Sequence, residues 1–100
     1  MIIVAGTLTF DPAKAGVLAE GWDKMQKATL EEPGCLAYDY FLSRHEEGVI
    51  LVFEKWESED ALAAHMGTSH MAEFGGLMGQ IGITNADVKK YSGATEGPLF

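Results

Sequence analysis

From Val49 to Trp56 the chain alternates with a period of two, and both phases of the alternation are apolar. Ile50, Val52 and Trp56 point one way, with Glu54 among them, while Leu51 and Phe53 point the other. A strand that is apolar on both faces needs cover on both sides. The remaining sequence offers helices enough for one side only, so the second face calls for another partner.

Ile2 to Phe10 reads as a first strand, with Ile2, Val4, Gly6 and Leu8 opposite Ile3, Ala5, Thr7 and Thr9. Asp11-Pro12 then starts a helix, the aspartate as N-cap and the proline at the first helical position, where its missing N–H costs nothing. Leu18, Trp22, Met25 and Thr29 recur at helical spacing and form one stripe, flanked by Val17 and Leu30. Pro33-Gly34 ends that helix. Leu36 to Ser43 is a second strand, joined to the Val49–Trp56 strand through the polar turn Arg44 to Gly48.

Ser58 caps a second helix reaching Met66, with Glu59 and Asp60 on the positive end of its dipole. After the small-residue break Gly67-Thr68-Ser69 a further helical piece carries Met71, Phe74 and Met78. Thr84 to Tyr91 is a last strand, closing a domain over residues 1–92, and residues 93–100 form an irregular tail. The order is β-α-β-β-α-β, so the expected fold class is α+β, a ferredoxin-like sandwich. Two subunits packed sheet to sheet would cover the second face.

The chain has 100 residues, enough for one domain but for only a modest core of its own. Its formal charge of −8 argues against nucleic acid and against an anionic membrane surface, both of which need a basic face. Cys35 is the single cysteine, which excludes an internal disulfide and a multi-cysteine metal site. No apolar run approaches a membrane span, and Met1-Ile2-Ile3-Val4-Ala5 lacks a basic flank and runs directly into a strand pattern, so a cytoplasmic location is the default expectation.

Three side chains are candidates for chemistry. His65 and His70 lie five positions apart, about 140° around a straight helix, but the Gly67-Thr68-Ser69 break lets them converge. Glu54 is a carboxylate on an apolar strand face, where burial or a cation partner must set its ionisation. Trp22, Met25, Tyr38, Tyr40, Phe41, Trp56, Phe74 and Met78 could line a pocket for a flat aromatic ligand, although each also suits an ordinary core. With no HExxH-type spacing and only two histidines in reach of one another, no metal site is expected. No GxGxxG, P-loop or GxSxG pattern appears, so no flavin, nicotinamide or nucleotide cofactor is expected either.

The passage Glu32-Pro33-Gly34-Cys35-Leu36, then Phe53-Glu54-Lys55-Trp56-Glu57-Ser58, then Ala64-His65-Met66 and Ser69-His70-Met71 resembles the antibiotic biosynthesis monooxygenase family, and in particular its small quinol monooxygenase-like members. The resemblance implies a homodimeric α+β barrel and a cofactor-independent oxygenation of a quinol or related dihydroxy-aromatic by O2. It also implies His65 as the likeliest-placed base, with His70 second and Glu54 orienting. Phe74-Gly75-Gly76 stands where the haem-degrading branch has its axial histidine, which argues against haem. The rival expectations are a non-catalytic ligand-binding dimer of the same fold, and an isomerase or lyase-type barrel acting on a small lactone or polyketide.

Overall fold

The computed structural model describes all 100 residues. Strand β1 (Ile2–Thr9) leads through a single 3₁₀ turn, Pro12–Lys14, into helix α1 (Ala15–Leu30). Strands β2 (Cys35–Leu42) and β3 (Val49–Trp56) follow as a hairpin, then helices α2 (Glu59–Met66) and α3 (Ser69–Gln80) and strand β4 (Asn85–Tyr91). The four strands form one antiparallel sheet in the order β2-β3-β1-β4. This is the ferredoxin-like arrangement, with three helices in place of two because the second helical region breaks at Gly67.

The caps do what their chemistry dictates. Asp11 accepts from the Ala13 N–H at 3.0 Å, Ser58 from the Ala61 N–H at 3.1 Å, and Thr68 from the Met71 N–H at 3.3 Å. Asp11 and Pro12 cap the short 3₁₀ turn, so α1 proper begins three residues later than the proline suggests. Leu18, Trp22, Met25 and Thr29 are all buried. Val17 and Leu30 are exposed, because each sits about 100° from its buried neighbour and so leaves the stripe.

Register sorts the sheet into two faces. Ile2, Val4, Gly6 and Leu8 pair with Trp56, Glu54, Val52 and Ile50, and these residues look toward the helices. The core gathers there, around Trp22, Trp56, Leu18, Ile50 and Ile81, which are essentially without exposed surface. The other face carries Phe41, Leu51 and Tyr91, each more than 40% exposed in the single chain. Gly6 is required at the centre of the sheet: a Cβ there would fall within 2.5 Å of Val88 Cα, and its φ of +155° is one that side chains rarely adopt. After the turn at Ser92–Gly93 no regular element follows; the Ala94 N–H donates to the Met1 carbonyl at 3.0 Å and Glu96 pairs with Lys55 at 2.7 Å. No helix is long and apolar enough to cross a membrane.

Candidate active site

Two corners of the fold meet along α2, one at its first turn and one at its end. One is the turn after α1, where Gly34 adopts φ +85° and lies so close to α2 that a Cβ would stand 2.6 Å from that of Ala61. Its carbonyl accepts from the Glu57 N–H at 2.8 Å, which ties the loop to the start of α2. The other corner is the α2–α3 break. There the Thr68 hydroxyl donates to the His65 carbonyl at 2.7 Å while capping α3, so the end of one helix and the start of the next are held by one oxygen.

The consequence is a cluster that the linear sequence conceals. Glu32, on the first corner, places Oε2 2.7 Å from Nδ1 of His65 and 2.8 Å from Nε2 of His70, on the second. The imidazole centroids are 6.0 Å apart. His65 is 1% exposed, His70 about a fifth exposed and Glu32 less than that. An ionised carboxylate can only accept, so both histidines donate: His65 from Nδ1 and His70 from Nε2. The lone pair of a neutral His65 ring then resides on Nε2, away from Glu32.

His65 borders a cavity of about 440 Å³ lined by Val4, Leu62, Met71 and Val88 together with Glu54, and by the charged side chains of Glu59, Lys89 and Lys90. Glu54 is buried and accepts from the Trp56 indole N–H at 2.9 Å. Burial holds its carboxyl above the ordinary range, against the opposing pull of the Trp56 hydrogen bond and of His65. A second cavity of about 270 Å³ shares Glu54, Met71 and Val88 with the first, and is otherwise bordered by Trp22, Tyr38, Phe74 and Met78. Its aromatic wall is tight: Trp22 stacks on Tyr38 at 5.0 Å and meets Phe74 edge-on at 5.3 Å. Burial, and secondarily the charge of Glu54, keeps the Tyr38 phenol protonated far above neutral pH. The Trp22 indole N–H is buried without a partner.

The histidines converge through Glu32, but no single cavity borders Trp22, His65, His70 and Phe74 together. His70 opens instead on a smaller hollow of about 190 Å³, with Met25 and Phe74. Trp56 lies in the core beneath Glu54, its ring 4.7 Å from that of His65, and borders none of these cavities. Tyr40 packs edge-on against Trp22 at 5.0 Å, behind the aromatic wall. Phe41 is on the far face of the sheet, 53% exposed, because it is one residue out of phase with Tyr38 and Tyr40. The participant that sequence reasoning did not place is Glu32. The partner of His65 is that carboxylate, while Glu54 borders the same cavity and is bonded to Trp56.

The profile of the antibiotic biosynthesis monooxygenases matches residues 1–76. The chain belongs to that family. Its structural relatives agree. A protein of Caulobacter crescentus CB15 assigned to the same monooxygenases is 34% identical, with 94% of this chain and 90% of that one aligned at a TM-score of 0.84. Rv0793 of Mycobacterium tuberculosis is 26% identical over 97% of this chain and 98% of its own, also at a TM-score of 0.84. A Deinococcus radiodurans protein at 22% identity covers 100% of this chain and 99% of its own with a TM-score of 0.90, and shows the shared fold. None of the curated proteins matches the chain significantly.

Proposed function

We propose that this family member is a monooxygenase that oxidises a quinol or related dihydroxy-aromatic with O2, without flavin, haem or metal in the chemical step. The observation that supports it most is His65. Its Nδ1 is engaged by Glu32 at 2.7 Å, and the ring borders a largely apolar cavity that also holds Glu54. A volume of about 440 Å³ is in the range of small-ligand sites and suits one or two fused rings.

In this reading His65 Nε2 takes a proton from a substrate hydroxyl, and Glu32, as positioning residue, fixes the tautomer and stabilises the imidazolium that results. The phenolate is a better electron donor to O2 than the phenol. For a simple quinol, one oxygen atom enters the ring and the other leaves as water, giving a hydroxyquinone, with the substrate supplying all four electrons. Glu54, whose carboxyl burial holds above the ordinary range, borders the same cavity and orients a second substrate oxygen. The apolar part of the lining, Val4, Leu62, Met71 and Val88, offers the ring a surface poor in water.

The same reading includes a homodimer. The sheet face with Phe41, Leu51 and Tyr91 has no cover within the chain, and a second copy packed against it would supply that cover. An obligate interface above about 2,000 Å² is expected, and sedimentation should give a dimer at micromolar concentration. A stable folded monomer would remove this part of the proposal.

Oxygen uptake with a hydroquinone panel, in the presence of chelator, tests the chemistry. His65→Gln, which keeps most of the side-chain volume, should lower turnover by about 10²–10⁴, the usual value of a general base. Equal turnover in that variant would take His65 out of the mechanism. Saturable binding of quinols with no oxygen consumption would make the protein a binder of aromatics and not an oxygenase.

A further inference from the structure

The Glu32–His65–His70 cluster has a donor set beyond what proton transfer needs. One carboxylate oxygen and two imidazole nitrogens, from three residues, all lie within 4.8 Å of one another. We propose that this cluster is a binding site for a divalent first-row transition metal, with Zn²⁺ the best-matched ion and Glu32, His65 and His70 as its ligands. Two histidines and a glutamate are a donor set that zinc takes in open, water-bearing sites, and their mixed nitrogen and oxygen character disfavours Mg²⁺ and Ca²⁺. The third ligand, which the histidine spacing lacks, comes from the turn after α1.

Distances are compatible with an exchange of protons for metal. Ligands at roughly 2.1 Å around a tetrahedral ion stand roughly 3.4 Å apart. The present contacts, 2.7 and 2.8 Å, are hydrogen bonds and must open by roughly 0.6–0.7 Å. A turn of the Glu32 carboxylate can supply this, while the two ring nitrogens, up to 4.8 Å apart, must close toward that same ligand separation; His70, which reaches the surface, makes that movement and His65 stays fixed in the core. The accessible side leaves room for water in the fourth position. Each ring proton now aimed at Oε2 moves to the outer nitrogen, Nε2 of His65 and Nδ1 of His70.

That movement has a functional consequence, which rests on the oxygenase reading. A metal-bound His65 carries its proton on Nε2 and has no lone pair left for substrate. Zinc and turnover are therefore mutually exclusive, and the site is inhibitory.

The experiment uses the full chain, freed of metal by chelator and then dialysed. Zn²⁺ affinity is read by competition with a chromophoric chelator, and coordination by the visible bands of Co²⁺ as a stand-in, whose intensity reports four-coordination. One ion per chain at micromolar affinity or tighter is expected. His70→Ala and Glu32→Gln should each weaken it by more than about 100-fold, since even outer-shell partners are worth 10–100-fold. His70 is partly exposed, so its variant keeps the fold even if a substitution at buried His65 does not. His45→Ala, in the exposed hairpin turn, should change nothing. Absence of saturable binding, or binding that survives His70→Ala, overturns the site. Loss of oxygen uptake on zinc loading tests the inhibition. A protein that binds zinc at these residues yet oxidises no quinol would keep the metal site and lose the oxygenase reading.

Discussion

Removing the carboxylate that both histidines share should cost stability in a way that separates the two rings. In Glu32→Ala the N–H of His65 loses its acceptor where the side chain is 1% exposed, so water cannot replace it. A buried donor left unpaired costs about 1–3 kcal/mol. His70, with 22% of its side chain exposed, can turn its Nε2–H to solvent, and its share should be near the lower end of a net hydrogen bond, about 0.5 kcal/mol. The sum is about 1.5–3.5 kcal/mol, dominated by one ring. For a chain of this length that lowers the melting temperature by roughly 6–28 °C. Glu32→Gln retains an amide oxygen with two lone pairs that can accept from both rings, and should cost less than about 1 kcal/mol. Urea denaturation at one fixed protein concentration measures both, with an unchanged slope showing that only native stability moved. A cost below about 0.5 kcal/mol for Glu32→Ala, or equal costs for alanine and glutamine, would show that the carboxylate does not satisfy a buried donor.

Two further outcomes follow from ionisation. Glu54→Gln should be more stable than the parent at pH 7 and no better at about pH 3.5. The folded chain holds the Glu54 proton more tightly than the unfolded one, so its contribution is intact below the ordinary carboxylate value and is lost as pH rises through the raised folded value. The Trp56 N–H keeps an acceptor in the amide, and an equal gain at both pH values would refute the assignment. The Cys35 thiol is pushed up to about 11 by burial and then by the charges of Glu32 and Glu54. Alkylation by iodoacetamide at pH 8 should therefore run more than about 100-fold slower in the folded chain than in urea, and comparable rates would contradict that environment.

Much of this fold is legible in the sequence because its signals are local. Asp11 and Ser58 cap where their chemistry predicts, and the Leu18–Trp22–Met25–Thr29 stripe buries as its spacing requires. Parity in β2 is equally local: Tyr38 and Tyr40 share a face that Phe41 cannot join, so period two alone separates it from a pocket on the helix side. The depth of a residue on the correct face is another matter. Trp56 and Tyr40 have the right parity and the right chemistry, yet one is filled over by Glu54 and His65 and the other stands behind Trp22. That is decided by three-dimensional packing, which no periodicity encodes.

Glu32 shows the same boundary from the other side. It lies 33 and 38 residues from the two histidines it binds, in a turn whose composition announces only the end of a helix. What brings it to them is the close approach of Gly34 to Ala61, together with the hydroxyl of Thr68 that folds α3 back against the end of α2. Each of these is a small residue at a corner, and neither carries chemistry of its own. The reactive groups of this chain are thus set by positions that a search for reactive groups passes over. Enlarging Gly34 should disturb His65 and His70 together while leaving Glu54 and its bond to Trp56, on the rigid centre of the sheet, in place.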